Sequence, residues 1–304
     1  MSKYLSLTKR NCLVFLRDRS SVFFSLLSML IVMLLTTVFL GNLNVSSITN
    51  LLAEYGGIRD AAVDTANAEE LVWYWTLAGI LVVNSLTVSL TVIGIMITDA
   101  NENRLEVFYT APISKSVVAL SYVTSAILIG TLFCVLTLII ALIFIAATGG
   151  TVLSLSAILQ ILFYIFVNVC IFSIIMYLAA LFVKSPGAWS GVATIVGTLV
   201  GFVGAIYLPM GSLPEKVGNV LTCLPVLHGT SLMRKVCCES ILNKTFEGMP
   251  PEVLDIYKEE MGITIVMNDI TVSSSFQLAF MAAFGVVAFI AALIVAKHKH
   301  ISDR

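Results

Sequence analysis

Charge is scarce in this chain of 304 residues: Asp, Glu, Lys and Arg together make up 12% of it, about half the share usual in soluble domains. The deficit is concentrated. No Asp, Glu, Lys, Arg or His occurs from Ser20 to Ala53, Leu71 to Thr98, Ser116 to Val183, Ser185 to Pro214 or Ile270 to Ala296. With 59% hydrophobic residues and a mean hydropathy of +1.01, these runs exclude an ordinary soluble fold and require lipid as solvent.

Other absences narrow the function. The G-x-x-x-x-G-K-[ST] phosphate loop is missing, so nucleotide is not bound by that device. Proton- or sodium-driven carriers keep an ionisable group inside the membrane, at a cost of roughly 2.5–3.5 kcal/mol on insertion scales. These runs hold none, which disfavours self-contained ion coupling. A membrane transferase needs paired carboxylates for its metal, and only Asp99, Glu102 and Glu106 stand near the inner face. A formal net charge of -1 gives no reason to expect nucleic acid. No metal site and no catalytic residue is expected, and no cofactor in this chain.

What remains is a set of helices. A span needs about 20 apolar residues, and Thr148-Gly149-Gly150-Thr151 splits the longest run with a turn. The result is an all-α integral membrane protein, one transmembrane domain over 1–304. Its six spans are expected near 22–41, 71–98, 117–147, 155–183, 187–207 and 274–296. The first is retained, because it is too long for a signal peptide. Eleven of the seventeen Lys and Arg but only five of the eighteen acidic residues fall on the segments that would face inward with the amino terminus inside. Both termini are therefore expected in the cytoplasm.

Polar positions supply candidates. Residues 1–20 alternate Tyr4, Leu5, Leu13, Val14 and Leu16 with Lys9, Arg10, Arg17 and Arg19, as an interfacial amphipathic helix or a plain positive flank would. Asn84, Thr87 and Thr91 lie at helical spacing on one face. They read either as a substrate path or as helix packing. Glycines at 187, 191, 197, 201 and 204 read as close packing, within the chain or against a second copy. The outer segment 208–273 starts apolar and proline-rich. Short helices against the outer membrane face are expected there, with another helix starting at Pro250-Pro251. Cys223 and the vicinal pair Cys237-Cys238 share that side and read as one bridge or as free thiols.

The segment ITDANENRLEVFYTAPISKSVVALSYV, Ile97 to Val123, resembles the cytoplasmic loop of ABC type-2 exporter permeases. The matching positions are Glu102, Leu105-Glu106 and Pro112-Ile113-Ser114-Lys115. Where that family usually has Gly-Thr before the hydrophobic-Glu pair, this chain has Asn103-Arg104. The opening TKRNCLVFLRDRSSVFFSLL is similar to the family's elbow helix. Leu208-Pro209, Leu213-Pro214, Pro225 and Arg234 are similar to its punctuated outer segment.

The resemblance implies a permease of an ATP-driven exporter in a bacterial plasma membrane. Two separate ABC ATPase subunits would hold the ATP and Mg, and a second permease chain, identical or different, would complete a dimer. It implies that 99–116 docks on the ATPase through Glu102, Arg104, Leu105, Glu106, Phe108 and Tyr109. Asn84, Thr87 and Thr91 would line the path, and Leu213, Pro214 and Pro225 would gate its exit. Amphipathic drugs, antimicrobial peptides or lipid-like molecules are the expected substrates, which makes multidrug efflux the leading role. Lipid-linked glycan export, or a membrane sensor or enzyme subunit on the same fold, are the alternatives.

Overall fold

The computed structural model describes residues 3–35, 41–105, 108, 113–267 and 270–298. The first helices are α1 (Lys3–Arg17), α2 (Arg19–Leu35), α3 (Gly41–Tyr55) and α4 (Ala61–Asn101). Then come α5 (Lys115–Ala147), α6 (Leu155–Ala180) and α7 (Pro186–Val203). Helices α8 (Glu215–Leu221), α9 (Pro225–Thr245) and α10 (Pro251–Glu260) precede a short hairpin, β1 (Val266–Met267) with β2 (Ile270–Thr271), and α11 (Ser274–His298) closes the order.

Local chemistry sets the starts of the long helices. Asp60, Ser114, Ser154 and Ser185 each cap one, accepting from the N–H two or three residues on. A cap of this kind is worth about 1 kcal/mol over Ala. Pro186 follows Ser185 at the first helical position, where its missing N–H costs nothing. At the α5–α6 turn Gly149 takes φ +86°, a conformation glycine enters without a Cβ penalty. The turn expected at 148–151 is therefore in place.

Five described helices, α4, α5, α6, α7 and α11, are long and apolar enough to cross a membrane. The protein is a multi-pass membrane protein. The first expected span, 22–41, coincides with α2 up to Leu35 and then runs into residues outside those described.

α4 is the central element. It packs on α5, α6, α7, α9 and α3, and 78% of its most apolar window is buried. Expected over 71–98, it in fact begins at Ala61. The extra turns carry Asp64, Glu69 and Glu70, which read as loop in sequence. Two of these acids have partners: Asp64 accepts from Arg59 Nε at 3.0 Å, and Glu70 accepts from the Thr151 N–H and pairs with Lys244 at 3.4 Å.

The outer segment also departs from expectation. Beside the expected short helices α8 and α10 it holds α9, a 21-residue helix buried among α4, α6 and α11. Its Arg234 is fully buried without a carboxylate. The guanidinium stacks 4.0 Å from the Trp75 ring centroid and donates to Met261 O at 3.0 Å and Ala205 O at 2.7 Å. Burial lowers its pKa to about 9, so it stays charged at neutral pH. One side chain thus joins the ends of α7 and α10 to α4. The helix expected to start at Pro250-Pro251 is α10. All six cysteines are free: Cys223 is exposed while Cys237 and Cys238 are buried, so no bridge links them.

Candidate functional site

At one end of the bundle α1 meets the end of α4, the start of α5 and the α4–α5 connection. α1 is amphipathic, but the face it turns to the protein is Leu7, Thr8, Asn11 and Phe15, while Leu5 and Leu16 are exposed. It is seated on α5 by three contacts. Tyr4 and Thr124 hydroxyls hydrogen-bond at 2.6 Å, Asn11 Nδ2 donates to Ser121 Oγ at 3.3 Å, and Phe15 meets Phe133 edge-on at 5.5 Å.

Asp99 is the hub. Its side chain is 1% exposed and sits between helices that each bring it a donor. Arg10 of α1 grips it with both terminal nitrogens, one at 2.8 Å, and Tyr122 of α5 donates at 2.6 Å. Arg104 of the connection donates at 3.4 Å and also pairs with Glu102. The hydrogen bond to Asp99 outweighs partial burial and raises the Arg10 pKa above its ordinary value. Two-pronged guanidinium binding fixes orientation as well as charge. The same guanidinium lies 5.6 Å from the Phe108 ring centroid, a cation–π contact with the connection itself.

The connection turns at Asn103, whose φ is +59°. Asn is among the few residues that adopt the left-handed region at modest cost. Leu105, 6% exposed, then packs into the cluster formed by Met96, Tyr122 and Leu181.

One buried carboxylate thus holds donors from α1, α5 and the connection, and Arg10 also lies over Phe108. The sequence pattern of ABC-2 type transporters matches residues 2–237. The chain belongs to the ABC-2 type transporter family. Permeases of this family work with ABC ATPase partners. No curated protein matches the chain.

Among the expected docking residues of this ABC-2 type chain, Glu102 and Arg104 are solvent-facing, Leu105 is buried and Phe108 is half-buried, whereas Glu106 and Tyr109 lie outside the described residues. From the sequence Arg10 reads only as a basic position of the first helix and Asp99 only as one of three inner-face carboxylates, and Tyr122 carries no signal. The signal for Asp99 was its being the first acid after 28 uncharged residues, Leu71 to Thr98.

The polar stripe divides. Asn84 is buried and donates to Thr137 Oγ1 of α5 at 2.9 Å, so it is spent inside the chain. Thr87 and Thr91 are half-buried, and each hydroxyl returns to its own helix, donating to Val83 O at 3.0 Å and Thr87 O at 2.9 Å. Of the outer positions, Leu213 is half-buried against the small cluster of Ala205, Leu221 and Leu227, Pro214 is exposed, and Pro225 is buried as the first residue of α9. Leu213 and Pro214 adjoin each other, while Pro225 belongs to the bundle.

The glycines of α7 also divide. A Cβ at Gly201 would run into the Tyr207 ring, whereas one at Gly187, Gly191 or Gly197 meets nothing within 4 Å. The helix is close-packed at Gly201 and open at Gly187, Gly191 and Gly197, while Trp189 turns its other side into the bundle.

Proposed function

We propose that this ABC-2 type chain is the permease subunit of an exporter driven by two separate ATPase subunits. It moves amphipathic drugs, antimicrobial peptides or lipid-like molecules out across a bacterial plasma membrane. The Asp99 hub supports this reading most directly: with Arg10 it ties α1, α4 and α5 to Arg104 and Phe108 of the connection, so a push on those residues reaches the bundle end. Both termini and this hub then face the cytoplasm, where Lys and Arg outnumber acidic residues on the inner segments. A second permease chain would cover the open face of α7, where Gly187, Gly191 and Gly197 have no neighbour and Ile195, Leu199 and Phe202 are exposed. Thr87 and Thr91 line the path, with Asn84 shaping it from behind through Thr137. Leu213 and Pro214 stand at the exit.

The coupling role is tested on the permease purified with its ATPase. Phe108→Asp places a carboxylate beside the guanidinium that Phe108 now covers and removes an apolar docking contact. Substrate-stimulated ATP hydrolysis should fall about tenfold, equivalent to ~1.4 kcal/mol of coupling, with the chain still inserted. Unchanged stimulation would remove 99–116 from the coupling pathway. For the path, Thr87→Leu with Thr91→Leu should alter the range of compounds exported while basal ATP hydrolysis stays constant. An identical export profile would return both threonines to helix packing.

A further inference from the structure

We propose that Arg234 is a positioning residue of the export step: it holds the end of α7 on α4 and releases it once in each transport cycle, opening the path at the end remote from Asp99. The cycle itself rests on the export reading given above. Trp75 and Asp99 stand 24 residues apart on α4, about 36 Å by the ~1.5 Å rise of a helix. At the Trp75 end the indole ring and the Arg234 guanidinium lie 4.0 Å apart, and both donate to one acceptor, Met261 O, at 2.8 and 3.0 Å. Met261 is the C-cap of α10, so this triangle fixes the guanidinium to α4 and α10 together. Another nitrogen, Nη2, donates to Ala205 O at 2.7 Å, just past the end of α7. Ile206 follows, fully buried, and occupies the space that Gly79 of α4 leaves free: a Cβ on Gly79 would lie 2.8 Å from Ile206 Cγ2.

The backbone at this joint works against the contact. Ala205 has φ +51°, a left-handed conformation that is unfavourable for any L-residue with a Cβ. The chain doubles back there, and the Ile206 and Tyr207 N–H groups both donate to Gly201 O, at 2.8 and 3.1 Å. The Arg234 hydrogen bond thus holds in place a turn that the strain would undo, and strain of this kind marks positions that switch. The other end of α7 has ordinary chemistry. Ser185 is extended and caps the Ala188 N–H, and Trp189 is buried so close to α4 that a Cβ on Gly94 would lie 2.7 Å from its ring nitrogen. Seated without strain at Trp189 and strained at Ala205, α7 pivots about the first and departs at the second. Trp75 and Met261 keep the guanidinium in position to recapture Ala205 O.

Amide exchange read by mass spectrometry on the permease with its ATPase in detergent tests this. Residues 204–208 should exchange slowly at rest and about tenfold faster with ATP and Mg, the worth of one hydrogen bond from a charged donor. Arg234→Lys keeps the charge but has a single nitrogen, which cannot stack on Trp75 and reach two carbonyls. It should produce the same tenfold rise at 204–208 without nucleotide, with peptides of α5 unaffected. Ala205→Gly removes the strain. It should slow ATP-driven transport about threefold and, combined with Arg234→Lys, return the exchange of 204–208 toward its resting rate. A plain strut would leave transport by Ala205→Gly unchanged. That result overturns the proposal, as does exchange at 204–208 that ignores ATP in a transporting complex, or that rises in Arg234→Lys only together with the rest of the chain. Absence of transport by the unmodified complex refutes the export reading, whereas absence of a local change at 204–208 refutes the joint.

Discussion

Arg10→Glu should reduce ATP-driven transport by the assembled complex roughly thirtyfold. The substitution sets a second carboxylate against Asp99, which is 1% exposed and accepts from Arg10, Tyr122 and Arg104. Removing one partner of a fully buried ion pair costs about 3–5 kcal/mol. Arg10 is 28% exposed, so water screens some of the change and about 2 kcal/mol is the better figure. At ~1.4 kcal/mol per factor of ten, that sets the expected loss. The exchange Arg10→Glu with Asp99→Arg restores opposite charges across the same gap and should recover a substantial share of transport. If the single variant transports normally, the hub is only a fastening of α1. If the exchange recovers nothing, the geometry of the Tyr122 and Arg104 contacts matters more than the sign of the charges.

The second large effect is on folding. A Cβ on Gly229 of α9 would lie 2.1 Å from Asn168 Oδ1 of α6. Asn168 cannot easily move, being 1% exposed with its amide donating to Tyr164 O at 2.8 Å. Overpacking of this kind costs about 1–3 kcal/mol. Gly229→Ala should therefore lower the melting midpoint in detergent by about 5 °C. Asn168→Ala, which removes the colliding atom, should restore most of it when combined with Gly229→Ala. The coupling between the two changes, rather than either alone, reports the contact. A midpoint unchanged in Gly229→Ala would mean that α9 is not seated on α6.

Legibility followed the environment of each charge. Uncharged runs announced α5, α6, α7 and α11, and the glycine turn divided the longest run correctly. α9 was hidden because His228, Arg234, Lys235, Glu239 and Lys244 give it the composition of a surface helix. Its burial depends on partners far away in sequence, such as Trp75, Ala205 and Met261 for Arg234. The first ten residues of α4 were hidden for the same reason, since Asp64 and Glu70 look exposed until Arg59 and Lys244 are placed beside them. At the site, the connection could be found from its resemblance to ABC type-2 permeases. The hub could not, because Arg10 and Asp99 are 89 residues apart and each alone is an ordinary flank of a span.

The unbroken length of α4 has a mechanical consequence. Its 41 residues extend about 60 Å at ~1.5 Å per residue, twice the roughly 30 Å hydrocarbon thickness. Asp99 sits near one end, while Trp75 and Glu70 fasten the outer helices toward the other. A beam of that length pivoting at mid-membrane by about 5° would swing each end about 2.5 Å, in opposite directions. Such a lever needs no relay of side chains through the bilayer: a small tilt imposed at one surface appears at the other as a displacement large enough to pull packed side chains out of contact.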